Sequence, residues 1–331
     1  MRLASLIALS LVLVPVTALA AHLFAGWMRR ASLGIHVREY GPNLHEKKGG
    51  TPTMGGVVIA ALWGVTLGLI LLFGPLTTEA AFVFVAGLSF GAIGLLDDLI
   101  SLGLRRSLGL RPWQNLLLGS AVSAALFLGF SELLQVPLRV PFSAVTLSLS
   151  SIPNFFLAWL VFLCTTNSMN LTDGLDGLAS GVSILILAGF LVISPGAGLA
   201  SALLPLGAIL IGFLWVNGHP ARLFLGNVGS FFLGGVVGAC ALVSGTAFLL
   251  PLLAGLLVLE GGSVVLQVAS FRLTGQRVFK IAPLHHHFER AEGIDYPHFL
   301  PAVEWPEPKV TLRLWIVQGL FVGLAILAAR L

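Results

Sequence analysis

Asn167-Ser168-Met169-Asn170-Leu171-Thr172-Asp173-Gly174-Leu175-Asp176-Gly177-Leu178 lies between two apolar runs, 155–164 and 181–193. Two asparagines and two aspartates therefore stand at the mouths of hydrophobic spans, where polar side chains are costly and usually functional. They recur every third residue, at 167, 170, 173 and 176. On an ideal α-helix each step of three turns by about 300°, which fans four such groups over roughly half the circumference. A 3₁₀ turn, eased by Gly174 and Gly177, would bring them together. The pattern predicts a polar cup at a helix end. Simple capping explains one or two such residues but not four with two glycines.

The rest of the chain sets the frame for that cup. Of 331 residues, 57% are hydrophobic and only 10% charged, and the mean hydropathy is +0.98. This composition excludes a soluble domain and predicts an all-α polytopic membrane protein, a single unit spanning 1–331. Ten apolar runs have spanning length: 3–27, 54–74, 79–98, 113–133, 152–170, 178–194, 199–216, 229–245, 248–270 and 311–329. Fifteen of the 18 lysines and arginines fall on the odd-numbered connections, the exceptions being Arg2, Arg139 and Arg330. The positive-inside rule then puts those connections in the cytoplasm and both termini outside. The net charge of +4 is this topology signal and not a nucleic-acid footprint, because no soluble basic domain accompanies it. Ala18-Leu19-Ala20 resembles a signal-peptide cleavage site, but cutting there would remove a span and place Arg29 and Arg30 outside. Cys164 and Cys240 lie within spans and lack metal-ligand spacing.

Several connections carry chemistry. The first ends in Lys47-Lys48-Gly49-Gly50-Thr51-Pro52-Thr53-Met54-Gly55-Gly56, cations beside a glycine-rich turn that suits an anion. The third span closes on Asp97-Asp98. Each carboxylate would cost up to about 2.5–3.5 kcal/mol at mid-span. Two side by side repel, so the pair points to a base with a raised pKa or to a metal. Alternation in 134–151 predicts a small external β-hairpin. The seventh connection, 217–230, sets Gly226 and Gly229 around Asn227 at a helix start, a phosphate-friendly arrangement. The ninth, about 271–310, contains His285-His286-His287, which cannot all face one way and so do not read as a three-histidine metal site. Arg277, Lys280 and Pro283 nearby suit phosphate contact, and Glu260 and Gln267 lie inside the ninth span.

Together these pieces resemble the polyprenyl-phosphate N-acetylhexosamine-1-phosphate transferase family over nearly the whole chain, with the specific matches at 48–56, 94–98, 167–178, 213–230, 275–289 and 305–310. Ala282-Pro283-Leu284-His285-His286-His287-Phe288-Glu289 and Trp305-Pro306-Glu307-Pro308 favour its muramoyl-pentapeptide branch. The resemblance implies ten transmembrane helices with a cytoplasmic active site, in the bacterial inner membrane. It implies transfer of phospho-MurNAc-pentapeptide from UDP-MurNAc-pentapeptide to undecaprenyl phosphate, giving lipid I and UMP with Mg²⁺, and homodimers as a common assembly. By the family's motifs Asp97 would deprotonate the lipid phosphate with Asp98 beside it, and Asp176 and His285 join the catalytic set. Asn170 and Asn227 would hold the metal. Asp173, Asp176, Asn217 and Phe224 would line the nucleoside pocket, and Lys48, Thr53, Gln267, His285, His286 and His287 would meet phosphates or sugar.

The chain departs from that pattern. Asn227 and Ser101 stand where the family has aspartate and lysine, Asn115 replaces a further lysine, and 290–304 is an insertion. Three readings follow: the transferase itself or a relative using another UDP-sugar, a homologue that binds the lipid carrier or nucleotide without turnover, and a transporter. The last has little support, since the polar motifs gather on one side and no inverted repeat is visible.

Overall fold

The computed structural model describes residues 3–31, 50–104, 109–290 and 296–331. Among the described residues there are twelve helices and one two-stranded hairpin. The first four helices are α1 (Leu3–Arg30), α2 (Gly56–Phe73), α3 (Thr78–Leu104) and α4 (Pro112–Gly129). After the hairpin come α5 (Ser151–Thr172), α6 (Leu178–Ile193), α7 (Ala197–Asn217) and α8 (Gly226–Val243). The chain closes with α9 (Leu250–Leu253), α10 (Gly255–Thr274), α11 (Leu284–Phe288) and α12 (Glu307–Arg330). Each expected apolar run contains a helix. Eight are long and apolar enough to cross a membrane, and the apolar α6, with 16 residues, is shorter. At 1.5 Å per residue α6 reaches about 24 Å, less than a full hydrocarbon core.

Three boundaries differ from the sequence expectation. The third span was expected to end at Asp98, yet α3 continues to Leu104, because Leu99-Ile100-Ser101-Leu102 contains nothing that breaks a helix. Asp97 and Asp98 are thus inside a helix rather than at its end. The ninth run is interrupted at Ala254, which separates α9 from α10. The polar cup does not form, because α5 runs as regular α-helix through Asn167 and Asn170 to Thr172. Asn167 is exposed and bonds back to the Leu163 carbonyl at 2.8 Å, while Asp173 closes the helix and Asp176 lies beyond it.

The hairpin is present. Strand β1 (Leu138–Arg139) pairs antiparallel with β2 (Thr146–Leu147), with Leu138 opposite Leu147.

Helix α8 is the axis of the bundle, buried along 89% of its spanning window and packed by α2, α3 and α5. A helix apolar all round belongs in such a core. Trp63 of α2 packs edge-on against Phe232 of α8 at 5.0 Å between ring centroids and donates its indole N–H to the Ala202 carbonyl of α7 at 2.9 Å. Elsewhere α1 packs on α7 and α12 on α6. Helices α3 and α8 come into near contact at Gly94 of α3, where a Cβ would come within 2.1 Å of the Asn227 carbonyl oxygen at the start of α8.

Gly94→Val is therefore expected to push α3 off α8. Overpacking of this kind costs about 1–3 kcal/mol or more. Thermal unfolding of the detergent-solubilised protein should show a lower midpoint than wild type, whereas the same change at Gly68, where nothing lies within 4 Å, should leave packing contacts intact.

Candidate active site

The first N–H groups of a helix have no carbonyl partners within it, and the helix dipole makes that end attractive to anions. Asp98 fills that role for α8. Its Oδ1 accepts from the backbone N–H of Asn227 at 3.2 Å and its Oδ2 from that of Val228 at 3.0 Å. Asp97, one residue back on α3, is used differently. Its Oδ1 accepts from the Leu110 N–H at 2.7 Å and its Oδ2 from the Asn227 side-chain amide. Both carboxylates are buried. The repulsion expected between neighbouring aspartates is met by separate sets of donors. Asn170 of α5 completes the centre, donating to Asn227 Oδ1 at 2.7 Å and to Ser230 Oγ at 3.0 Å.

The glycine-rich segment after the first connection lies against this centre. Phe224 donates its N–H to the Pro52 carbonyl at 2.9 Å, while Gly55 and Gly56 donate theirs to the carbonyls of Phe224 and Leu225, each at 2.8 Å. Gly226 has φ +76°, and a Cβ on it would meet Asp98 Oδ2 at 2.9 Å and Thr53 Oγ1 at 3.0 Å. Thr53 is thus placed beside Asp98. Lys48, expected at the phosphates, lies outside the described residues.

A second cluster is anchored to the same connection. Asp176 Oδ2 accepts from the Ala221 N–H at 2.9 Å and lies 3.1 Å from His219 Nδ1, which is also 3.6 Å from Glu307 Oε2. The Asp176 N–H donates to Glu307 Oε1 at 2.8 Å, and Thr311 Oγ donates to the Asp176 carbonyl at 3.3 Å. Asn217 accepts from Ser180 at 2.9 Å and donates to the Leu223 carbonyl at 3.0 Å. Asp176, His219 and Glu307 offer ligand atoms within 4.8 Å of one another, and the His219–Asp176 contact, the Ala221 N–H on Asp176 and the Asp176 N–H on Glu307 account for their closeness. The segment between Asn217 and Val228 therefore ties Asp176 and Asp98 to one end of the bundle.

The three histidines of α11 go three ways, as their adjacency requires. His285 is fully buried, with Nδ1 3.0 Å from Glu260 Oε2, and its Nε2 lies where a Cβ on Gly174 would be only 2.2 Å away. A glycine is needed there for the imidazole to reach the 173–177 turn. His286 Nδ1 is 2.9 Å from Glu289 Oε2. His287 Nδ1 accepts the Lys280 N–H at 3.1 Å. Gln267 is taken up locally: its Oε1 accepts from the N–H groups of Val278 and Phe279, and its Nε2 donates to the Phe279 carbonyl. The insertion is stitched to the same connection. Phe299 and Leu300 donate to the carbonyls of Arg277 and Val278, and Lys280 pairs with Glu304 at 2.8 Å.

Of the residues expected from sequence, Thr53, Asp97, Asp98, Asn170 and Asn227 meet at the start of α8. Asp176 and Asn217 form the neighbouring cluster, with Phe224 on the connection between them. Asp173 caps α5, and His285 approaches the same turn through Gly174. Gln267, His286 and His287 organise the ninth connection. Sequence reasoning missed His219, Ser230, the Leu110 N–H and the role of Glu307. Only Glu307, an acid in the first turn of a helix after Pro306, left a readable signal.

The residues at the start of α8 suit a hard cation. One carboxylate, Asp97, with the amide groups of Asn170 and Asn227, is the kind of oxygen set that Mg²⁺ accepts when phosphates and water complete its shell. In this arrangement Asn170 turns its amide nitrogen to Asn227 Oδ1 and Ser230, and Asn227 turns its nitrogen to Asp97; a half-turn of a carboxamide exchanges its nitrogen and oxygen.

Comparison with known proteins places this site in context. Residues 80–245 match the profile of glycosyl transferase family 4. The chain is 38% identical over 312 residues to the phospho-N-acetylmuramoyl-pentapeptide-transferase of Desulforamulus reducens, covering 92% of this chain and 89% of that protein. It is 38% identical over 318 residues to the protein of that name from Caldanaerobacter subterraneus subsp. tengcongensis, covering 93% and 94% respectively. The Frankia alni protein of that name is 37% identical over 329 residues, covering 90% and 89%.

Burial, then the nearby His298 and Lys280, hold the His287 imidazole below its ordinary 6.5. A base depressed on folding binds more protons unfolded, so its contribution is complete above the unfolded value and is lost as pH falls below it. The hydrogen bond and charge of Lys280 lower the Glu304 carboxyl, whose contribution likewise disappears on acidification. Limited proteolysis within 275–306 is expected to accelerate as pH falls from about 7 to about 5. His287→Gln, which keeps an acceptor without the titration, should flatten that profile.

Proposed function

The chain belongs to glycosyl transferase family 4, and we propose that it transfers phospho-MurNAc-pentapeptide from its UDP carrier to undecaprenyl phosphate, forming lipid I and releasing UMP in peptidoglycan synthesis. The observation that carries this reading is the attachment of two clusters, Asp97–Asn227–Asn170 and Asp176–Asn217, to one connection at one end of a membrane bundle. A diphosphate can then be reached by a lipid head group on one side while its nucleoside is held on the other. The basic odd-numbered connections support a cytoplasmic setting in the bacterial inner membrane, with both termini outside.

Phosphoryl transfer asks the protein mainly to position reactants and neutralise charge. Asp97 takes the proton of the lipid phosphate. The freed oxygen attacks the sugar-linked phosphorus, the bond to the bridging oxygen breaks, and UMP leaves with that oxygen and its electron pair. Asp98 holds the start of α8 in register, so that Asn227 and Ser230 stay opposite Asn170. Asp176 and Asn217 fix the connection that meets the nucleoside, with Phe224 and Asp173 beside it. Thr53 approaches from the first connection, Lys48 is assigned to the phosphates by the sequence motif alone, and His285, set by Glu260, meets the sugar-phosphate side. Asn170 and Asn227 would hold Mg²⁺, which when bound offsets charge on the transferring phosphate.

A second reading has its own observation. The Asn227 amide donates directly to Asp97, the group asked to act as base, which favours a homologue that binds without turnover.

Purified protein incubated with Mg²⁺, undecaprenyl phosphate and a panel of UDP-sugars should release UMP with UDP-MurNAc-pentapeptide, and Asp97→Asn should lower the rate by about 10²–10⁴. Turnover with a different UDP-sugar would revise the donor. Silence with every donor, together with turnover by Asn227→Asp, would select the second reading.

A further inference from the structure

Among the described residues, the Asn227 side chain is bonded at this centre to groups on both flanking helices. Its Nδ2 donates to Asp97 Oδ2 on α3, and its Oδ1 accepts from Asn170 Nδ2 on α5 at 2.7 Å. Its backbone N–H goes to Asp98 and its carbonyl accepts from Ser230 Oγ at 3.3 Å. The carboxamide bridges a carboxylate and an amide that belong to different helices, as a shared cation would.

The charge available to a cation here is small. Both oxygens of Asp98 are engaged by backbone N–H groups at the start of α8. One oxygen of Asp97 is engaged by Leu110. That leaves a single carboxylate oxygen, Asp97 Oδ2, and it already receives a hydrogen bond from Asn227. The other oxygens at the centre, from Asn170, Asn227 and Ser230, are neutral. Mg²⁺ dehydrates reluctantly and is normally held by one or two carboxylates together with substrate phosphates.

We infer that Asn227 stands in for the divalent cation in the ligand-free protein, and that this chain takes up the cation only together with the diphosphate of its nucleotide. The nucleotide brings the negative charge that the protein set lacks. The amide then turns, giving up Asp97 and offering its oxygen. Protein and nucleotide thus build the cation site jointly, and by linkage each strengthens the binding of the other. The nucleotide half of this coupling rests on the transferase reading above; the stand-in role of Asn227 does not.

The test follows the melting temperature of the full-length protein in detergent with Mg²⁺ alone, UDP alone and both, in wild type, Asn227→Asp and Asn227→Ala. Wild type should not respond to Mg²⁺ alone at about 1 mM, should respond to UDP, and should bind UDP at least about tenfold tighter with Mg²⁺ present. Asn227→Asp should gain a shift with Mg²⁺ alone. Asn227→Ala, which leaves Asp97 Oδ2 without its donor, should melt lower than wild type and be partly restored by Mg²⁺, which keeps the test open if the aspartate variant does not fold. The inference is overturned if Mg²⁺ alone stabilises wild type as much as either variant, or if UDP binds equally well with and without Mg²⁺. Absence of any UDP response in all three proteins overturns the nucleotide reading and the coupling with it. The Mg²⁺-alone comparison then still decides for or against the stand-in.

Discussion

A helix that begins inside a membrane protein leaves N–H groups that neither its own carbonyls nor lipid can satisfy. In this chain Asp98 meets that need for α8. Because α8 is the buried axis of the bundle, this contact sets the height at which α3 and α8 meet, and with it the positions of Gly94, Asp97 and Asn227. The candidate site is a consequence of how the central helix is begun. A carboxylate that looks like a reagent in the sequence is in large part a structural cap. Its neighbour, with one oxygen tied to Leu110 and one to Asn227, is the group left to face chemistry.

The same economy recurs around the site. Asp176 is buried among backbone donors and an imidazole, and it locks the seventh connection to the start of α12. His285 is held by Glu260 and reaches the 173–177 turn only because Gly174 has no side chain. Asp176 is paired with the Ala221 N–H and His219, and Glu260 Oε2 with His285 Nδ1, which offsets much of the cost of burying them, while Glu260 Oε1 and His285 Nε2 are buried without a hydrogen-bond partner among the described residues. Members of glycosyl transferase family 4 are membrane transferases related to this chain, and Mg²⁺ is typical of them. Here the protein's own donors already satisfy most of the oxygens at the centre.

Much of the architecture was legible before any coordinates. Long apolar runs report helices directly, and the alternation around 138–147 reported the hairpin. Three adjacent histidines cannot all face one way, and each has its own partner. The cup built on 167, 170, 173 and 176 failed for an identifiable reason. Spacing by three aligns side chains only in a 3₁₀ turn, and α5 stays α-helical as far as Thr172, so Asn167 turns away while Asn170 faces α8. The end of α3 was misplaced because hydropathy marks where the membrane ends, and a helix with good formers beyond that point continues.

What the sequence by itself determined is the solvent this chain folds in, the place and order of its long helices, and the set of polar residues with a claim on function. These follow from local sums: apolar length, charge between spans, and motif composition. Only the tertiary structure decided which of those residues touch. Asp97 and Asn227 are 130 positions apart and meet because α3 and α8 cross at a glycine. Glu260 and His285 meet because α10 and α11 fold back on each other. A hydrogen bond depends on a distance of a few tenths of an ångström between such elements, and no pattern within one segment encodes it.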